Sequence, residues 1–183
     1  MGRIVFDTAT TVNGWIADEH HSLEWLFAVP GGDNPAPELS PPDAPVLVMG
    51  STTYEWVVRQ EDAVAQPEKW RAAFGDKVVF VFTRRSLATP AGASVQLVAG
   101  DVAEHLPRIR QVAAGGDIWI VGGGDLAGQF ADAGALNEIA LSVAPVALRG
   151  GAPLLPRRLE SNRLTLVSAT QVGQFARLIY RVE

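Results

Sequence analysis

Four apolar residues, Ile118 to Val121, followed at once by Gly122, Gly123 and Gly124, narrow the fold of this chain more than any other stretch. The apolar run reads as a short buried strand. A helical pattern follows, with Leu126 and Phe130 four residues apart on one face. A glycine-rich turn between a buried strand and a helix start lets a ligand reach bare backbone. The unpaired N–H groups and positive dipole end of that helix favour a phosphate. The spacing is not the full G-x-G-x-x-G of a dinucleotide fingerprint, so glycine needed only for tight packing is the competing reading.

The rest of the chain repeats the same grammar. Residues 3–10 hold Ile4, Val5 and Phe6 and read as a strand that also carries Asp7, and Asn13-Gly14 supplies the turn after it. Ser22 is placed to cap a short helix through Leu23, Trp25 and Leu26. Residues 31–45 hold five of the 12 prolines and read as a surface loop. Strands are expected at 46–49, 78–82 and 95–98, with helices after Ser51 or Thr52 as caps, around 69–74, and over 102–112. The run Val78 to Phe82 is apolar throughout, as a parallel strand covered on both faces would be. A strand at 138–146 and a hairpin of 164–172 with 175–182 close the chain. This is an α/β pattern: a mostly parallel central sheet with an antiparallel C-terminal hairpin.

Composition excludes several function classes. The 183 residues suit one domain, 1–183, and are 48% hydrophobic and 19% charged, as in an ordinary globular protein. A net charge of −5 with no basic stripe argues against nucleic-acid binding. Cys is absent, which removes thiolate chemistry and fits a reducing cytosol. Met1-Gly2-Arg3 leads straight into a strand pattern rather than a secretory leader, and no apolar run nears the roughly 18 residues that span a bilayer. A cytoplasmic protein with small-molecule partners is expected. No metal site is expected either, because the adjacent His20 and His21 have no acidic partner at ligand spacing.

Three strand ends share one chemistry. Strand 46–49 runs into Gly50-Ser51-Thr52-Thr53, strand 78–82 into Thr83-Arg84-Arg85, and strand 118–121 into the glycine triplet. In a parallel sheet all three lie at the carboxyl edge, where open α/β folds bind ligands. Two helix starts suit a pyrophosphate and two arginines suit an extra phosphate, against a solvated turn as the plain alternative. A nucleotide with both features is NADP(H).

Asp7-Thr-Ala-Thr-Thr-Val-Asn-Gly-Trp-Ile-Ala17, Met49-Gly-Ser-Thr-Thr-Tyr-Glu55, Val81-Phe-Thr-Arg84, Val121-Gly-Gly-Gly-Asp-Leu126 and Asn137 to Val146 occur in this order. With them the chain resembles the three-layer dihydrofolate-reductase-like fold. The resemblance is specifically to the reductase domain of the bifunctional deaminase–reductase of riboflavin synthesis and its stand-alone relatives. It covers essentially the whole chain and implies an NADPH-dependent reductase, a homodimer, and a heterocyclic substrate of riboflavin-pathway or dihydrofolate type. By position it implies that Ala9 and Ile16 touch nicotinamide, and that Gly50, Thr52 and Thr53 lie near the pyrophosphate. Thr83 and Arg84 would meet the 2′-phosphate. Gly122, Gly123, Gly124, Asp125 and Leu126 would cover the pyrophosphate and nicotinamide ribose. The loop Asn13 to Asp18 would close over the ring.

Two departures stand out. Dihydrofolate reductases usually carry Arg where Ser51 stands, so 2′-phosphate recognition leans on Arg84 and Arg85. Their helix-borne carboxylate has no clean match; Glu24 is the nearest candidate, set against a solvated helix glutamate. Asp7, a carboxylate in an apolar strand, either bonds or protonates substrate or serves the sheet edge structurally. Trp25 either stacks on a ring or packs in the core, as does Trp56, and Ser142 is a candidate to face substrate. An NADP sensor without turnover and a cofactor-free dimer module are the readings outside enzymology.

Overall fold

The computed structural model describes residues 2–183, so Met1, part of the leader reading, lies outside the described residues. Eight strands form one sheet: β1 (Ile4–Thr11), β3 (Val46–Gly50), β4 (Val78–Phe82), β5 (Val95–Val98), β6 (Ile118–Gly122), β7 (Glu138–Ala144), β9 (Leu164–Val172) and β10 (Phe175–Val182). Two further strands, β2 (Trp15–Ala17) and β8 (Ala152–Pro153), pair with each other beside it. The order in the large sheet is β5-β4-β3-β6-β1-β7-β10-β9. The pairings among β5, β4, β3, β6, β1 and β7 are parallel, and β10 runs antiparallel to both β7 and β9. The expected mixed sheet with its closing hairpin is what forms.

Period-two alternation in the parallel strands explains why both faces are covered. Val46 and Val48 of β3 point to one face, with Ile4, Phe6, Ile118 and Ile120, where α4 (Val102–Ala113) and α5 (Gly124–Asp132) pack. Leu47 and Met49 point to the other, with Val79 and Val81, under α2 (Ser51–Gln60) and α3 (Pro67–Phe74). The α1 helix (Glu24–Phe27) lies further along that second side, where Leu26 and Trp25 pack with Val29, Leu39 and Phe175. The layers are helices, sheet, helices.

Connections leave β3 and β6 in opposite directions. After β3 the chain turns through α2 and α3 outward to β4; after β6 it turns through α5 across β1 to β7. Adjacent parallel strands whose exits diverge leave a crevice at their carboxyl ends. Here it opens between Gly50 and Gly122–Gly123, where a Cβ on Gly123 would come within 3.9 Å of the Gly50 nitrogen.

Two local expectations are corrected, and one feature is new. Neither Ser51 nor Thr52 caps α2: Gly50 is the N-cap in extended conformation, and no side chain bonds the first turn. The helix starts on the residue after the strand, so the N-cap position falls on Gly50, which has no side chain to offer. The proline-rich 31–45 segment is not merely a surface loop, because it makes a 3₁₀ turn at Pro37–Leu39 and buries Leu39. Strands β2 and β8 were not anticipated; three and two residues carry too little periodicity to read.

Tyr54 of α2 shows how one side chain ties layers together. It is fully buried, stands edge-on to Trp70 at 5.9 Å, and donates its hydroxyl to the Ala88 carbonyl at 2.9 Å. Burial pushes its phenol from 10.0 up to about 12. A raised folded-state value means the stabilising contribution is complete below pH 10.0 and is lost as pH rises through about 12. Tyr54→Phe is therefore expected to cost about 0.5–1.5 kcal/mol at neutral pH for the lost hydrogen bond. The variant should also show a shallower alkaline fall in stability than the parent. Urea unfolding followed across the alkaline range checks both, and parallel pH profiles for the two proteins would refute the ionisation argument.

Candidate active site

Two chambers open side by side at the carboxyl edge of the sheet and share Thr8 and Val121 as a common wall. The first, about 280 Å³, lies over the crevice between β3 and β6. Thr52 and Thr53 of α2 line it, opposite Gly122, Gly123, Gly124 and Asp125. Ile16 and Ala17 of β2 and Pro153 of β8 cover it, and Trp56 and His21 stand at its rim. Neither α2 nor α5 receives a side-chain cap, so the first-turn N–H groups of both helices face this crevice without an intrahelical acceptor.

Each glycine of the triplet is needed for a different reason, and at Gly122 it is that a Cβ would stand 2.7 Å from Thr53 Oγ1. Gly123 sits at φ 102°, which only glycine adopts readily, and it turns the chain from strand to helix. A Cβ on Gly124 would stand 2.1 Å from the Pro153 carbonyl oxygen, so β8 lies directly against the helix start. Asp125 does not present a free charge: Gln129 donates to it at 2.9 Å and Arg157 pairs with it at 3.0 Å. The Gln129 bond and the Arg157 guanidinium hold its carboxyl below the usual range. Leu126 turns its side chain into the core, and only its backbone belongs to the turn.

Outside this chamber, the β3–β4 register sets Gly50 opposite Phe82, so Thr83, Arg84 and Arg85 emerge beside the start of α2, with Ser51. The two arginines are not equivalent. Arg85 makes a two-pronged bond to Glu55 of α2 at 2.6 and 3.1 Å, whereas Arg84 is exposed and enters no ion pair among the described residues.

The second chamber, about 220 Å³, lies under the proline-rich segment, with Pro35, Leu39 and Pro41 as its roof and Leu26 of α1 beside them. Its floor is formed by β1, β6 and β7 through Asp7, Ala9, Trp119 and Ser142. Arg177 of β10 lies opposite Ser142 in register and reaches across β7 to Asp7. Its Nη1 donates to Asp7 Oδ1 at 2.8 Å and to Ser142 Oγ at 3.1 Å, and its Nη2 donates to Asp7 Oδ2 at 2.6 Å. All three residues are only 6% exposed. Burial raises the Asp7 carboxyl above its ordinary value, and the Arg177 guanidinium opposes that shift. Trp119 Nε1 donates to the Asp7 carbonyl at 3.0 Å, which fixes the indole as a wall of the chamber.

Not every candidate reaches the site. Glu24 is exposed at the start of α1 and lines neither chamber, so the structure does not bring it to Asp7 and Ser142. Trp25 also lies outside both linings; it packs against the cluster of Val29, Leu39, Ala144 and Phe175, its buried Nε1 unpartnered. His20 and His21 belong to no group of three or more His, Cys, Asp and Glu able to hold a metal among the described residues. The residues missed in the sequence are Arg177, Trp119 and the roof. Arg177 left a trace: it is a charge in the inward register of β10, between Phe175 and Ile179, as Asp7 is in β1.

The chain is 30% identical over 179 residues to the uncharacterized protein YwjB of Bacillus subtilis, covering 97% of each. A solved protein from Shewanella sp. PV-4, provisionally assigned to riboflavin biosynthesis, superposes with a TM-score of 0.75 at 25% identity, covering 100% of this chain and 99% of that one. The dihydrofolate reductase of Enterococcus faecalis, solved with NADP(H), shares the fold at TM-score 0.64 and 15% identity, over 99% of this chain and 96% of that one. Residues 3–176 match the RibD C-terminal domain, and the chain belongs to that family.

Proposed function

We propose that this protein is an NADPH-dependent reductase that delivers hydride to a C=N or C=O bond of a heterocyclic substrate, of riboflavin-pathway or dihydrofolate type. The observation that carries the reading is the pair of chambers meeting at Thr8 and Val121: one framed by two uncapped helix starts, the other floored by buried polar groups. Membership of the RibD C-terminal domain family supports the same reading.

The donor set fits the cofactor. The bare N–H groups of α2 and α5 and the hydroxyls of Thr52 and Thr53 match a pyrophosphate. Ser51 and Gly50 begin the same helix, and Thr83 and Arg84 stand beside it for the 2′-phosphate. Ile16 and Ala17 roof the chamber toward Thr8, with Ala9 on the substrate side of that wall. NADPH, when bound, supplies the hydride; the chain binds, orients and excludes water. In this role β2 and the loop 13–18 shield the ring, and Asp7 and Ser142 hold the substrate against the shared wall.

Tryptophan fluorescence tests binding directly, because Trp56 lines the first chamber and Trp119 the second. NADPH is expected to quench more strongly than NADH. Arg84→Ala should weaken NADPH by roughly ten- to a hundredfold and NADH little, as loss of a charge-assisted phosphate contact worth about 1.5–3 kcal/mol. Arg85→Ala should have the smaller effect, since Glu55 already engages that side chain. Equal weakening of both cofactors by Arg84→Ala would remove the 2′-phosphate assignment.

Turnover is tested separately by following NADPH oxidation with the ribosylaminopyrimidinedione phosphate beside dihydrofolate and other pyrimidine and quinone acceptors. Oxidation with at least one heterocycle is expected. Tight NADPH binding without oxidation across the panel would point to a sensor, and no binding of either nucleotide would sink the reductase reading.

A further inference from the structure

We infer that the second chamber selects an uncharged, unphosphorylated nitrogen heterocycle, reading an N–H beside a C=O on the ring through Asp7 and Ser142. The inference deepens the reductase reading and rests on it only for the assignment of this chamber to substrate.

Charge is already matched inside the chamber. Asp7 is the one ionisable side chain in its lining among the described residues, and both its oxygens are held by Arg177. Protonating Asp7 would strand a buried guanidinium, so the carboxylate stays ionised and accepts hydrogen bonds rather than donating them. An incoming phosphate would meet that carboxylate and find no free cation in the lining. A neutral ring avoids both the repulsion and the desolvation of an unpaired charge.

The donor–acceptor pattern is equally specific. Each Asp7 oxygen takes one guanidinium proton and keeps lone pairs to offer. Ser142 Oγ accepts from Arg177 Nη1, and among the described residues its own proton has no acceptor. A fixed acceptor therefore stands next to a free donor, both in the chamber wall. Their complement is a ring edge that donates from N–H and accepts at an adjacent carbonyl. The Trp119 indole, anchored through Nε1 to the Asp7 carbonyl, supplies a flat face for a planar ring. At about 220 Å³ the chamber is below the roughly 300–1,000 Å³ of drug-sized sites, which suits one or two fused rings.

Calorimetry on the NADP⁺-loaded protein tests this without requiring turnover. The probes are a pteridinedione, its derivative methylated on both lactam nitrogens, and aminoribosylaminouracil with and without its terminal phosphate. The phosphate-free nucleoside is expected to bind at least as tightly as the phosphorylated one, and double methylation to weaken the pteridinedione at least about tenfold. Ser142→Ala should weaken the pteridinedione about five- to tenfold while leaving NADPH affinity unchanged, and Ser142→Thr should restore it. A gain of tenfold or more from the phosphate, indifference to methylation, an inert Ser142→Ala, or no binding of any ring would each overturn the proposal. Absence of NADPH oxidation alongside the expected binding pattern would instead count against the reductase reading and leave the ring recognition standing.

Discussion

Insertion of β6 between β1 and β3 is the constraint on which the rest of this molecule depends. It makes the centre of the sheet parallel, and so requires helices on both faces. It also sends the exits of β3 and β6 in opposite directions, which opens the crevice lined by Gly50 and Gly122–Gly123. The glycines follow from that geometry. Backbone at a switch point must approach a neighbouring strand, a covering strand and a ligand together, and side chains would fill the space.

A second dependence runs through the Asp7–Arg177 pair. Burying two opposite charges gains little net stability over an apolar pair of similar size, whereas removing one partner leaves the other uncompensated at a cost of about 3–5 kcal/mol. What the pair provides is position. It joins β1 to β10 across β7, holds Ser142 in the same network, and presents polar groups to a chamber otherwise walled by Leu26, Leu39, Trp119 and Phe175. The most family-like segment, Met49 to Glu55, divides between two tasks. Its start frames the crevice, while Tyr54 and Glu55 secure the loop after β4 through Ala88 and Arg85.

The parallel core and the glycine turns that flank the crevice were legible because their signals are local. An apolar run such as Val78 to Phe82 declares a strand buried on both sides, and glycines directly after strands 46–49 and 118–121 declare helix starts open to a ligand. The second chamber was less legible. Glu24 is the nearest match to a carboxylate on the first helix, yet α1 is four residues long and leaves Glu24 at the surface. The roof of prolines read as an ordinary loop because nothing in its composition tells what it covers.

By itself the sequence determined the helices, the eight strands of the mixed sheet, and the glycines, hydroxyls and arginines that follow three of those strands, since each rests on residues within a few positions of one another. Tertiary structure alone decided which charges are free and which are spent. Arg84 and Arg85 are neighbours in the chain, but only Arg85 meets Glu55. Asp7 and Arg177 stand 170 residues apart and become partners only because β7 aligns them. Partnership of this kind depends on strand order and register, which no short window of sequence contains.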